Sequence, residues 1–131
     1  MHTKLSVLRA CRRVLRPGGR IAYYNIYVAP GLPERQHRRA LQAGPSAVST
    51  RGIPQADLLR RADFRGVQET DVTREFVETA RAWGASRRRH EPAIRKTIGD
   101  ARFEEVQADS RAMLAAIEEG LLRRGLFVGK R

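Results

Sequence analysis

The side chains of this sequence best suited to chemistry are two imidazoles, a tyrosine and a tryptophan. His37 and His90 carry imidazoles, a group that can take a proton from a hydroxyl or an amine. Tyr27 and Trp83 each offer a flat apolar face with one hydrogen-bonding group, which suits the wall of a small-molecule pocket. Each has a plainer reading. His37 and His90 fall in the arginine-rich stretches ERQHRRA and SRRRHEP, where a solvated imidazole is expected, and Trp83 falls on an apolar helical stripe that would pack onto a sheet. Asp71 stands just before a helix and reads as a cap rather than a base. Cys11 is the only cysteine, which excludes an internal disulfide and a CxxC redox pair, leaves no cysteine zinc cage, and suits a reducing cytosol.

The elements that would position these groups follow from spacing and punctuation. Leu5, Leu8, Arg12 and Leu15 recur at helical intervals, with Val7, Cys11 and Val14 widening the stripe, so residues 3 to 15 read as an amphipathic helix. Pro17 stops it, and Gly18 and Gly19 supply the backbone freedom for a sharp reversal. The stretch RIAYYNIYV, Arg20 to Val28, is β-branched, aromatic and nearly continuous in apolarity, the pattern of a strand buried on both faces. A long connection rich in Pro, Gly and Ser runs from Ala29 to Ile53, with a short helix from Pro33 through Leu41.

Pro54 opens a helix that carries Leu58, Leu59 and Ala62 and ends near Asp63, Phe64 and Gly66. Val67 to Val72 reads as a second strand. Asp71 and Thr73 are both suited to cap a helix with the apolar face Phe76, Val77, Ala80 and Trp83, interrupted at SRRRHEP. Pro92 opens a further helical piece, and Phe103, Val106, Ser110, Leu114 and Ile117 step along a long helix that Gly120 stops. LLRRGLFVGKR fits a final strand.

With this order in view, VLRPGGRIAYYNIYVAPGL resembles the segment leading into the fifth strand of class I S-adenosylmethionine-dependent methyltransferases. LLRRADFRGVQETDVT resembles their next helix, turn and sixth strand, with Asp63 where that family usually has glycine. GLLRRGLFVGKR resembles their seventh strand, which is antiparallel and pairs between the fifth and the sixth. The resemblance implies an α/β fold, a partial Rossmann-like sheet of three strands with a helical insertion before the last. It implies one truncated methyltransferase-like domain over 1–131, with 73–120 as a lid-like insertion.

The resemblance also sets expectations for function. It implies the carboxy-terminal part of a methyltransferase acting on a small-molecule acceptor, with S-adenosylmethionine as the cofactor of the parent family. That family holds its cofactor through a glycine-rich loop after the first strand and an acid closing the second. No GxGxG follows a strand here, so the chain alone is expected not to bind the cofactor, and whether it acts as an enzyme stays open. The loop after the fifth strand and the insertion face the acceptor in the family, which makes Tyr27, His37, Trp83 and His90 the candidate acceptor-binding residues. No catalytic base is assigned. Arg20 to Val28, lacking its family neighbour on one side, is expected to self-associate or to pair with a complementary amino-terminal half.

Composition bounds the alternatives. A chain of 131 residues fits one domain, and 41% hydrophobic with 31% charged residues is ordinary globular usage. No apolar run reaches the roughly 18 residues of a membrane span, and no secretory signal is recognisable. The start has no acid before Glu34, as in a mitochondrial presequence, but it runs without a break into PGG and a strand, as part of a fold does; a cytoplasmic location is expected. A net charge of +12 would attract phosphate-rich partners. Yet the basic pairs are spread along the chain, no aromatic platform or helix-turn-helix signature accompanies them, and only Lys4, Lys96 and Lys130 are lysines. A nucleic-acid-binding module and an inactive interaction or regulatory remnant are the competing readings.

Overall fold

The computed structural model describes residues 3–45, 48 and 52–131. Its elements are α1 (Lys4–Val14), β1 (Arg20–Val28), α2 (Glu34–Ala43), α3 (Gln55–Arg61), β2 (Arg65–Asp71), α4 (Thr73–Arg89), α5 (Glu91–Ile98), α6 (Asp100–Glu118) and β3 (Leu122–Lys130). The sheet order is β1-β3-β2, with β3 antiparallel to both neighbours, so β1 and β2 run the same way on either side of it.

The turn into β1 is built as its residues dictate. Gly18 has φ +79, and a Cβ on Gly19 would stand 2.8 Å from the carbonyl oxygen of Arg16, so both positions need glycine. The same turn receives the end of β3: the Gly18 amide donates to the Arg131 carbonyl at 3.1 Å, and the Arg131 amide to the Gly19 carbonyl at 2.8 Å. The Arg131 guanidinium donates to the carbonyls of Arg13 and Leu15, placing a cation on the carboxy end of α1, where the helix dipole favours it.

Two cores lie on opposite faces of the sheet. On one, Leu8 of α1 and Leu58, Leu59 and Ala62 of the α3 segment pack with Phe64 and Phe127. On the other, Ala40 of α2, Phe76 of α4 and Ala116 and Ile117 of α6 pack against Val28, Leu121 and Leu122.

Several expectations shift. β1 has the anticipated bounds, but it is not buried on both faces: Ala22 is exposed, Tyr24 is 56% exposed, and only Val28 is fully buried. The second core reaches only the carboxy end of β1, and over Tyr24 lies the stacked guanidinium of Arg124 rather than a helix. β2 starts at Arg65, earlier than Val67, because pairing with Lys130 extends the ladder across an irregularity at Gly66, where φ is +55. α4 runs through Ser86 and the three arginines and breaks only at His90. Arginine is a good helix former, so the break waits for Pro92, which sits in the first turn of α5.

On α6, Phe103 and Ile117 are buried as the stripe required, but Gln107 and Ala116 join them instead of Val106 and Leu114. Gln107 is tolerated because its Oε1 accepts from Arg87 Nε at 2.8 Å. Asp63 holds φ 64 and Gly120 φ 79 at the two helix ends where left-handed residues were needed.

Candidate functional site: a cavity at the carboxy end of β1

A cavity of about 430 Å³ opens where β1 ends, between the loop that follows it and the start of α3. Register puts its side chains together. Odd-numbered residues of β1 and β3 point to the α1 and α3 face, where Tyr23 stands opposite Phe127 and Tyr27 opposite Arg123. On the other edge of β3, Glu69 of β2 stands opposite Phe127. Tyr27, Phe127 and Glu69 thus meet from three strands, and Gln55, Ile53 and the loop from Val28 to Leu32 complete the wall, with His37 entering from α2.

The aromatic floor is ordered. Tyr23 stacks on Phe127 with centroids 5.6 Å apart at 26°, and Tyr27 meets the same ring edge-on at 6.5 Å and 64°. Phe127 can lie flat here because residue 125 is glycine, since a Cβ there would stand 2.7 Å from the Phe127 ring. The Tyr23 hydroxyl donates to Gln55 Oε1 at 3.0 Å, fixing the mouth of α3 to the sheet.

Electrostatics keep the phenols neutral. Burial, and then the Glu69 carboxylate, push the Tyr23 hydroxyl up to about 12. Tyr27 is raised by burial first and then by Glu69 and Asp71, with Arg123 opposing. At neutral pH both therefore act as hydroxyl donors and acceptors. His37 Nε2 is buried and has no hydrogen-bond partner among the described residues.

Asp71 is committed elsewhere. Its Oδ1 accepts from the Thr73 amide at 2.9 Å and the Thr73 hydroxyl at 2.6 Å, and these bonds hold the carboxyl below its usual range. The Thr73 oxygen in turn accepts from the Arg124 amide at 2.9 Å, which locks the start of α4 to β3.

Of the four residues singled out in the sequence, the structure brings Tyr27 and His37 to one cavity. Trp83 does not line it but meets Phe76 edge-on at 5.9 Å and is 49% exposed. His90 is exposed at the joint of α4 and α5, also apart from the cavity. Sequence reasoning passed over Glu69, Gln55 and Phe127. The alternation of QETD carried a weak signal for Glu69, but its meeting with Phe127 depends on strand register. Among the described residues there is no cluster of three metal-ligating side chains, and no helix is long and apolar enough to cross a membrane.

No protein-family model and no curated protein matches the chain. Solved structures do. Phosphoethanolamine N-methyltransferase 2 from Haemonchus contortus, in complex with S-adenosylhomocysteine, superposes with a TM-score of 0.77 at 12% identity, over 98% of this chain and 30% of that one. A Galdieria sulphuraria protein named as a sarcosine dimethylglycine methyltransferase gives 0.74 at 15%, over 97% and 47%. A cyclopropane synthase from Mycobacterium tuberculosis, MmaA2, gives 0.73 at 11%, over 97% and 49%. The chain therefore shares the fold of part of these methyltransferase and cyclopropane synthase structures, and it spans about half or less of their length.

Among the described residues no glycine-rich turn leads from a strand into a helix. A dinucleotide or nucleoside cradle needs a glycine-rich turn between strand and helix, and a free carboxylate at a strand end for the ribose hydroxyls. The turn from β1 into α2 has the single glycine Gly31, and Oδ1 of Asp71, the acid closing β2, accepts two bonds from Thr73.

Proposed function

We propose that this chain is the acceptor-side part of a class I S-adenosylmethionine-dependent methyltransferase acting on a small molecule, and that it does not bind the cofactor by itself. The observation that carries this reading is the cavity's position at the carboxy end of β1, in a sheet ordered β1-β3-β2. In open α/β sheets ligands bind outside the carboxy ends of parallel strands. The names of the neighbours, a phosphoethanolamine and a sarcosine dimethylglycine methyltransferase, support a small acceptor.

In this reading the chain's own residues bind and orient. Tyr27, backed by the buried Phe127, supplies apolar contact, Glu69 supplies a polar anchor, and the loop from Val28 to Leu32 closes one side. Tyr27 and His37 stay as acceptor-binding candidates; Trp83 and His90 have no place in the cavity. Among the described residues β1 is paired on one edge only, and its other edge would take the complementary amino-terminal part of such an enzyme or a second copy of this chain. Part of the positive charge is committed within the molecule, with Arg39 on Glu119, Arg81 on Glu118 and Arg95 among Glu91, Asp100 and Glu104, which argues against a dedicated phosphate track.

Calorimetric titration tests the reading. S-adenosylmethionine should give no binding heat with this chain alone and should bind once a glycine-loop amino-terminal part is supplied in trans. Micromolar binding by the isolated chain would overturn the account of the missing cradle.

A further inference from the structure

We infer that the cavity at the carboxy end of β1 takes an organic ammonium group, with Glu69 as its counter-ion and the ring of Tyr27 on its wall. This deepens the acceptor-site reading and rests on it. The first support is the charge of the lining. The chain carries 26 arginines and lysines, yet among the described residues none lines the cavity and Glu69 is the one carboxylate that does; Arg123 stands opposite Tyr27 on β3 outside the lining. A site for a carboxylate or phosphate would need the guanidinium groups that this chain has in abundance elsewhere.

The second support is an aromatic ring beside a carboxylate. Tyr27, half-buried and held edge-on against the buried Phe127 ring at 6.5 Å, lines the cavity together with Glu69, the combination of π surface and negative charge that holds quaternary and protonated amines. The other residues of the lining with polar side chains are Tyr27, Gln55 and His37. Tyr27 and Tyr23 are phenols and neutral at pH 7, and burial and then Glu69 raise both further, so neither adds a charge of its own. Gln55 Oε1 already accepts from Tyr23, which turns an oxygen dipole toward the sheet.

Amide NMR of the full chain provides the test, with tetramethylammonium chloride as probe, tert-butanol as its uncharged counterpart of similar size, and sodium acetate and inorganic phosphate as anions. Tetramethylammonium should shift the amides of Val28 to Leu32 and of Glu69, and should bind roughly tenfold more tightly than tert-butanol. Glu69→Gln, a change at an exposed strand position that the fold tolerates, should weaken the cation about tenfold and leave tert-butanol unchanged. The inference is overturned if no probe shifts those amides, if acetate or phosphate binds there more tightly than the cation, or if Glu69→Gln leaves the cation's affinity unchanged.

Failure of the broader reading looks different. Methyl transfer to a phenol or carboxylate by the reassembled enzyme, without cation binding, would sink the ammonium class alone. Cation binding at Glu69 with no methyl transfer to any amine after reassembly would sink the acceptor-site reading and leave the ammonium site standing.

Discussion

Tyr23 donates its hydroxyl to Oε1 of Gln55 at 3.0 Å, a bond that ties the middle of β1 to the first turn of α3 across 32 residues of chain. The intervening connection carries the long Pro- and Gly-rich stretch, so this contact sets one side of the cavity more than any local turn does. The phenol also lies on Phe127, so one side chain joins the strand, the helix and the cavity floor.

Tyr23→Phe should cost about 1 kcal/mol, the worth of one hydrogen bond that leaves a partly buried acceptor unmet. It should also change the alkaline limb of stability. The phenol is raised from 10.0 to about 12, so folding favours its neutral form: that contribution is complete below pH 10 and is lost as pH rises toward about 12. Urea unfolding at neutral and alkaline pH should show a shallower alkaline decline in the variant, with Tyr27 accounting for what remains. An unchanged decline would contradict the assignment.

Asp71→Ala removes the acceptor of both Thr73 bonds and should destabilise the chain by about 1 kcal/mol at neutral pH. Because the native carboxyl is held below its ordinary value of 3.8, its contribution is present above that value and disappears as pH falls through the native one. The unfolding free energies of parent and variant should therefore converge in acid. A gap that persists well below pH 3.8 would mean that the loss comes from packing instead.

Gly125→Ala places a methyl group 2.7 Å from the Phe127 ring and 3.4 Å from Tyr27. Overpacking of this kind costs about 1–3 kcal/mol, and the ring must tilt into the cavity to relieve it. Both a lower denaturant midpoint and shifted Tyr27 ring resonances are expected. A variant as stable as the parent, with unmoved resonances, would show that the ring does not lie where the structure puts it.

Asp63 occupies φ 64, and its carbonyl accepts from Arg12 Nε at 3.0 Å, a bond any residue could make. Asp63→Gly should stabilise by up to about 1 kcal/mol through relief of the left-handed conformation, offset in part by chain entropy. Asp63→Val, β-branched at positive φ, should cost about 1–3 kcal/mol. Thermal melts of the pair should straddle the parent; the reverse order would remove the backbone argument.

The open edge of β1 should make the isolated chain associate. Sedimentation velocity over a range of concentrations should show self-association, and Ala22→Lys, a charge on an exposed strand position, should reduce it. A sharp monomer boundary that does not move with concentration would count against an unpaired sticky edge.

The legible part of the fold was local. Pro17, Gly18 and Gly19 marked the entry to β1 because their dihedral limits act within a few residues, and Gly120 and Asp63 marked helix ends for the same reason. SRRRHEP does hold the break between α4 and α5, at His90 near its end, because Pro92 lacks the amide that a continuing helix needs. The apolarity of RIAYYNIYV spoke of two-sided burial, but burial depends on which helices arrive, and Arg124 arrived over Tyr24 instead.

From the sequence alone came the order of elements, the bounds of β1 and two of the cavity's residues, Tyr27 and His37, while the family resemblance implied the place of the last strand between the other two. The tertiary structure decided the cavity itself. Glu69, Gln55 and Phe127 come from segments far apart in the chain, and they meet only through the register of β2 and β3 and the Tyr23 bond to α3. A slip of one residue in either strand would turn Glu69 or Phe127 to the opposite face, and no short-range signal fixes that pairing.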